Sequence, residues 1–301
     1  MASGKEIKAR IKSVKNTGKI TRAMELMSTV KMKKAQISVS EARPFAREAL
    51  ETILRSGSAF DRYADSVIRV DSDRVLMVVI TSQKGLCGAY NVNVFKQVAA
   101  FVREHGIDTI DFVTLGRKGR DFVARFGGNI IADFSDRLGD SSSIRETKTA
   151  SRTVQSLYAS GRYMRAVIVA NHYISAISQK VSEKIFLPFE PKAVMKFLET
   201  LAGGVVELGN HPNRHMMIEP DKETILEQVV PIVLDAIFHE TWLEAKASEH
   251  ASRMVAMKNA KDSAKKKVSA LTLSYNKARQ AAITKEVSEI VSGVESMKDI
   301  A

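Results

Sequence analysis

The strongest constraint in this sequence is a spacing pattern, found in two long stretches at opposite ends of the chain. Between Ser3 and Gly57 the one proline is Pro44, and Ala35, Val39, Ala42, Ala46, Ala49 and Ile53 recur at alternating steps of four and three. That spacing draws a seam of small apolar residues down one face of a long helix. Ile7, Ile11 and Val14 form an earlier row and Ile20, Met24 and Met27 another, with a break of phase between them that would loosen supercoiling. Pro44 predicts a kink or the local loss of a hydrogen bond. At the other end Val268, Leu271, Tyr275, Ala278 and Ala282 step by three and four, and Ile283, Val287, Ile290, Val294 and Met297 continue on a neighbouring row. Ala247, Ala251 and Met254 are similarly spaced upstream. From Ile232 to Met297 there is no proline and one glycine, Gly293. Helices of about 50 and 65 residues would span roughly 75 and 100 Å. Stripes this narrow do not fold alone, so the two are expected to wind around each other; two separate surface helices are the plainer alternative.

Composition agrees. Aromatic residues make up 6% of the 301 residues and prolines number six, which suits long helices packed through small side chains. Hydrophobic residues, at 45%, are as frequent as in ordinary globular proteins. The single cysteine, Cys87, rules out an intramolecular disulfide and fits a reducing compartment. The N-terminal stretch is basic without a signal-peptide core, and no run approaches the roughly 20 apolar residues of a membrane span. The net charge of +12 is uneven: residues 1–58 hold 13 Lys and Arg against 5 Asp and Glu, whereas residues 221–301 hold 12 of each. A basic first helix calls for an acidic partner, whether nucleic acid, anionic lipid or acidic protein loops.

The middle of the chain has a different period. Arg74–Thr81 is a β-branched run of the kind buried in parallel sheets, and Thr109–Leu115, Asn129–Ala132 and Ala166–Ala170 read as further strands. Val92–Glu104, Arg117–Phe126 and Ile144–Ser160 read as helices between them, and residues 178–188 allow one more strand. The alternation predicts a βαβ arrangement with a mainly parallel sheet. The expected organisation is a shaft helix over 1–58, a globular α/β domain over 74–200, a loop or hairpin over 201–220 and a second shaft helix over 221–301.

An α/β sheet invites a nucleotide site, but neither the Gln83–Gly88 loop nor Gly116–Gly119 has the Lys-Ser/Thr and glycine spacing of a phosphate loop. His211 and His215 stand four apart but flank Pro212 in a polar stretch, where solvated histidines are the ordinary explanation. His239 and His250 have no Cys or His at ligand spacing. Cys87, between glycines after a strand, reads as a small buried hydrophobe. Lys31, Lys33, Lys34 and Lys265–Lys267 resemble phosphate contacts only superficially, because aromatics hardly interleave with them and no recognition motif accompanies them. No catalytic, cofactor-binding or metal-binding residues are expected.

Three blocks are more specific. Asn16–Met27 (NTGKITRAMELM), followed by Lys31–Lys34, resembles the N-terminal helix of the gamma subunit of F-type ATP synthases of the bacterial type. Glu249–Asn259 and Leu273–Glu286 are similar to that family's C-terminal helix, and Thr81–Asn91 (TSQKGLCGAYN) to its loop after the first strand, with Gln83 where an acidic residue is usual. The resemblance covers most of the chain, in order.

The resemblance implies an α/β fold: a long antiparallel coiled-coil hairpin of the terminal helices with an inserted Rossmann-like domain. It implies a rotor shaft, itself non-catalytic, standing in a ring of alpha and beta subunits. Its globular part would rest on the membrane c-ring with epsilon alongside. Rotation driven by proton or sodium flow would be coupled to ATP synthesis or hydrolysis in beta. The chain would be peripheral, on the cytoplasmic face of the inner membrane. By matched position the resemblance implies that Arg279, Gln280 and Thr284 would contact a beta-subunit catch loop. On the same resemblance Met24, with neighbouring Lys31 and Lys33, would meet acidic loops of beta, and Glu249 and Arg253 would fall in the coupling region. At i, i+4 those two also pair as an ordinary surface couple. The alternative is a basic helical-hairpin architectural protein that binds nucleic acid or anionic membrane.

Overall fold

A computed structural model describes residues 4–66, 72–139, 143–202 and 221–298. In chain order they form α1 (Gly4–Arg55), α2 (Ser58–Ser66), β1 (Val75–Ile80), α3 (Tyr90–His105), β2 (Ile110–Leu115), α4 (Arg117–Arg125) and β3 (Asn129–Asp133). There follow α5 (Ile144–Ala159), β4 (Arg165–Tyr173), β5 (Gln179–Leu187), α6 (Pro191–Ala202) and α7 (Lys222–Lys298). His211 and His215 lie outside the described residues. No described helix is long and apolar enough to cross a membrane.

The chain divides into two compact units. One combines the residues up to Met27 with those from Met254 onward; the other is Ser28–Arg253. The second unit takes in the C-terminal half of α1 and the stretch of α7 from Lys222 to Arg253.

In the Ser28–Arg253 unit a five-stranded sheet has the order β3-β2-β1-β4-β5. β1 pairs in parallel with β2 and β4, β2 pairs in parallel with β3, and β5 alone runs antiparallel, against β4. The central strand VLMVVI is buried on both faces, so its residues alternate between two cores rather than between core and water. Val75, Met77 and Val79 face α3 through Val94, Val98 and Phe101. Leu76, Val78 and Ile80 belong to the larger core, which α5 enters with Ala150 and Val154, α1 with Leu50 and Ile53, and α7 with Leu226, Val230 and Phe238. The ends of both long helices are therefore fastened to the sheet by apolar burial, at about 25 cal/mol for each Å² removed from water.

Burial along α1 corrects the expected break of phase. Ile7, Ile11, Val14, Gly18, Thr21, Glu25, Ser28, Met32, Ala35, Val39, Ala42, Ala46, Ala49 and Ile53 are all buried or half-buried, at unbroken steps of four and three. Ile20 and Met27 point outward, 60% and 62% exposed. The row was hidden because four of its members are glycine or polar. The helix also runs through Pro44 without interruption. Likewise α7 runs through Pro231 from its start at Lys222.

In the other unit the N-terminal half of α1 and the stretch of α7 from Met257 to Ala278 lie side by side and antiparallel. A Cβ placed on Gly18 would stand 3.5 Å from the Cβ of Ala264, and Lys261 Nζ meets Glu25 Oε2 at 2.7 Å. On α7 the inward row is Met257, Lys261, Ala264, Val268, Leu271, Tyr275 and Ala278. Ala282 does not extend it: from Arg279 to Gly293 every residue is exposed, Ile283, Val287 and Ile290 included.

Candidate functional site

α7 is sheathed over one part of its length and bare over another, and the expected functional residues fall on both parts. From Glu240 to Ala251 every residue is buried, although this stretch carries Glu240, Glu244, Lys246, Glu249 and His250. Charges survive such burial only when paired and hydrogen-bonded.

The first pairing holds Glu249 and Arg253. Glu249 Oε2 accepts from Lys246 Nζ at 2.9 Å and its Oε1 accepts from Arg253 Nη2 at 2.8 Å. Lys246 also lies 4.6 Å from the ring centroid of Trp242, a cation–π contact within the protein. Arg253 reaches beyond its own helix. Its Nη2 donates to the backbone carbonyls of Lys84 and Gly85, at 3.1 and 3.5 Å, and Ser252 Oγ donates to that of Cys87 at 2.7 Å. Glu249 and Arg253 are thus not an ordinary surface pair, as their spacing suggested. Glu249 is 2% exposed, and the two form a clamp on the loop after β1.

The loop is built to be held. Asn91, in the first turn of α3, accepts from Ser82 N at 3.1 Å and donates through Nδ2 to Ser82 Oγ at 2.7 Å and to Cys87 Sγ at 3.2 Å. Cys87 is buried, in keeping with the small-hydrophobe reading. Leu86 sits at φ 62°, a left-handed conformation costly for a branched side chain, and is 62% exposed. The clamp therefore presents Lys84 and Leu86 outward. Gln83 accepts from Arg117 N and donates to the carbonyls of Ser135 and Leu138, so it ties the loop to two others through an amide.

At this end of the sheet a doubly wound fold commonly places a ligand. Here the space is taken by protein. Gly119 N donates to Thr81 Oγ1 at 2.8 Å and Lys118 N to the Ser82 carbonyl at 3.2 Å, so N–H groups opening α4 are already engaged. Gly116, at φ 116°, packs so tightly that a Cβ there would lie 2.3 Å from the Thr81 carbonyl oxygen. Among the described residues no group of three His, Cys, Asp or Glu side chains is placed to hold a metal ion.

A second buried cluster was not foreseen. Arg43 of α1, His172 of β4, Lys184 of β5 and Glu240 of α7 converge on Glu244. His172 Nδ1 lies 2.5 Å from Glu244 Oε2 and Lys184 Nζ 3.8 Å from the same oxygen. Despite burial, these hydrogen bonds and positive charges hold the Glu244 carboxyl down at about 2. Glu240, desolvated and one turn away from that carboxylate, is pushed up to about 8 and keeps its proton. The sequence signal was a pair of glutamates at i, i+4, which on most helices marks a solvated face.

The remaining expected residues lie on helix surfaces. Met24 is half-buried and Lys31 and Lys33 are exposed on α1; Arg279, Gln280 and Thr284 are exposed on the bare end of α7, with Gln280 and Thr284 one turn apart. The structure brings Glu249 and Arg253 together in one ion pair.

A sequence profile of the family described as ATP synthase matches residues 3–297. The ATP synthase gamma chain of Xanthomonas campestris pv. campestris (strain B100) is 38% identical over 298 residues, 97% of this chain and 99% of its own. That of Halothermothrix orenii is 38% identical over 301 residues, 99% of this chain and 100% of its own. Among solved structures, a chain of the Euglena gracilis mitochondrial ATP synthase OSCP/F1/c-ring assembly superposes with a TM-score of 0.64 at 19% identity, covering 98% of this chain and 94% of its own. One from the central stalk and c-ring of the Tetrahymena thermophila enzyme gives 0.60 at 24%, covering 80% and 99%.

Proposed function

The chain belongs to the ATP synthase family, whose gamma chains it matches from end to end, and on that premise we propose how its surfaces are used. As a member of that family it is the central rotor shaft of an ATP synthase, and it couples rotation to ATP synthesis and hydrolysis without a catalytic site of its own.

The shaft stands within a ring of alpha and beta subunits and below them engages epsilon and the membrane c-ring. It is held peripherally at the cytoplasmic face of the inner membrane through those contacts. The bare end of α7 supports this reading most directly. A helix exposed on every face from Arg279 to Gly293, yet carrying Ile283, Val287, Ile290 and Val291, presents an apolar surface that only a surrounding partner covers. An apolar end in an apolar sleeve forms few directional bonds and so has no single preferred angle. Arg279, Gln280 and Thr284, at the edge of that region, supply the polar contact with a beta-subunit loop. Met24, Lys31 and Lys33 on α1 face the acidic loops of beta. The clamp of Glu249 and Arg253 holds Lys84 and Leu86 at the surface, where the same loops pass.

The test is purification of the tagged chain from gently solubilised membranes, with ATPase assayed on the eluate. Recovery of alpha and beta subunits with ATPase activity is the expected result. A lone, inactive chain, or one carrying nucleic acid, would overturn the proposal.

A further inference from the structure

A cavity of about 540 Å³ opens beside the edge strand of the sheet, between the end of α5, the start of β4, β5 and α6. It lies wholly within the Ser28–Arg253 unit and well away in sequence from the clamp and from the bare end of α7. Its size falls within the range of small-molecule sites, about 300–1,000 Å³.

Local sequence makes the space. The β4–β5 register shifts between Ala166 and Val167, which places an extra residue in β5 next to the cavity. Bulges of this kind re-aim side chains and recur beside binding sites. On α6, Ala193 and Phe197 stand one turn apart on the face turned to the cavity, and alanine leaves room that a longer side chain would fill. Tyr158, Met164 and Ile185 complete apolar walls.

Four cations line the same cavity, with one carboxylate among them: Arg165, Lys184, Lys192 and Lys196 against Glu190. Two of the cations are incompletely compensated. Lys184, buried, approaches Glu244 at 3.8 Å, but that carboxylate already serves Arg43 and His172; its ammonium otherwise lies 5.6 Å from the Phe197 ring centroid. Arg165 meets no carboxylate among the described residues. Its Nη2 lies 2.7 Å from His105 Nε2, its guanidinium packs 5.3 Å from the Phe101 ring centroid, and its buried Nε has no hydrogen-bond partner. Lys192 and Lys196 sit exposed at i, i+4 on α6, so their ammonium groups rim the opening.

Apolar walls with a surplus of positive charge at the rim and floor select a ligand that is apolar along its body and anionic at one end. We propose that this cavity binds a single-chain anionic amphiphile, a hydrocarbon chain ending in a carboxylate. The chain lies along Tyr158, Ile185 and Phe197, and the carboxylate is held by Lys192, Lys196 and Arg165.

The test is calorimetric titration of the purified full-length chain with dodecanoate below its micelle-forming concentration. Inorganic phosphate supplies charge without a chain, and dodecyl maltoside a chain without charge. Saturable binding of one dodecanoate per chain, with neither control binding comparably, is expected. Ala193→Trp fills the cavity and should abolish it. The double variant Lys192→Glu, Lys196→Glu, both at exposed positions, should weaken it about ten-fold or more, as expected when a charge-assisted contact is lost. Absence of dodecanoate binding, equal binding of dodecyl maltoside, or unchanged affinity in both variants would each overturn the proposal.

Discussion

Arg43 of α1 and Glu244 of α7 join their helices through a 2.8 Å ion pair whose carboxylate is almost wholly buried. Glu240, one turn earlier on α7, is left protonated beside it, with Arg43 Nε 3.7 Å from its Oε1. This arrangement makes stability depend on pH in a definite direction. Glu240 titrates near 8 in the folded chain against an ordinary 4.5. Between those values the unfolded chain gives up a proton that the folded chain keeps, so the Glu240 contribution is fully present below about 4.5 and is lost as pH rises toward 8. Glu240→Gln should match the parent near pH 4 and exceed it by about 3–4 kcal/mol at pH 8, in urea unfolding at the two pH values. Equal stabilities at pH 8 would show that the buried glutamate is ionised.

Glu244 carries the opposite dependence. Its folded value of about 2 lies below the ordinary 4.5, so its contribution is present above that ordinary value and is lost as pH falls toward 2. Glu244→Gln should lose about 3 kcal/mol at pH 7, because Arg43 and Lys184 are left without their carboxylate. The loss should shrink on acidification to pH 3.

Arg253 binds the loop after β1 through two carbonyls and Glu249 together. Arg253→Ala should cost about 2–3 kcal/mol and speed hydrogen exchange at the amides of residues 84–88. Arg253→Lys keeps the charge but not the planar fork, so the loop amides should still exchange faster than in the parent. Protection unchanged in both variants would mean that the internal bonds of Asn91 and Ser82 suffice to hold the loop.

Gly18 faces Ala264 with space for one methyl group at ordinary contact distance, 3.5 Å. Gly18→Ala should stabilise the chain by about 0.5–1 kcal/mol through reduced backbone freedom, visible as a higher Tm. Gly18→Leu should lower it, because the side chain would force the paired helices apart.

Gln280 is exposed, so Gln280→Leu should leave the unfolding free energy within about 0.5 kcal/mol of the parent. In the assembled complex it should lower ATPase activity coupled to ion movement. Normal coupling would remove Gln280 from the proposed contact.

The strands were legible because β-branched runs such as Val75–Ile80 and Ile110–Leu115 leave little alternative once turn residues bound them. α6 was not anticipated, although Pro191 at its first position and the Ala193, Phe197 spacing marked it. The seam of α1 was only half visible, since Gly18, Thr21, Glu25 and Ser28 occupy positions that an apolar pattern does not count. Of the site, the pairing of Glu249 with Arg253 followed from helical spacing. Its burial did not, because the groups that cover it, the carbonyls of Lys84 and Gly85, lie about 170 residues away in the chain and carry no side-chain signature.

The bare end of α7 also bears on how such a chain is made and handled. In the proposed assembly Ile283, Val287, Ile290 and Val291 stay in water until a partner covers them, and an orphan subunit bearing such a row is prone to self-association and proteolysis. Synthesis in step with its partners limits both losses, and an excess of this subunit alone is a burden on the cell's quality control rather than a reserve.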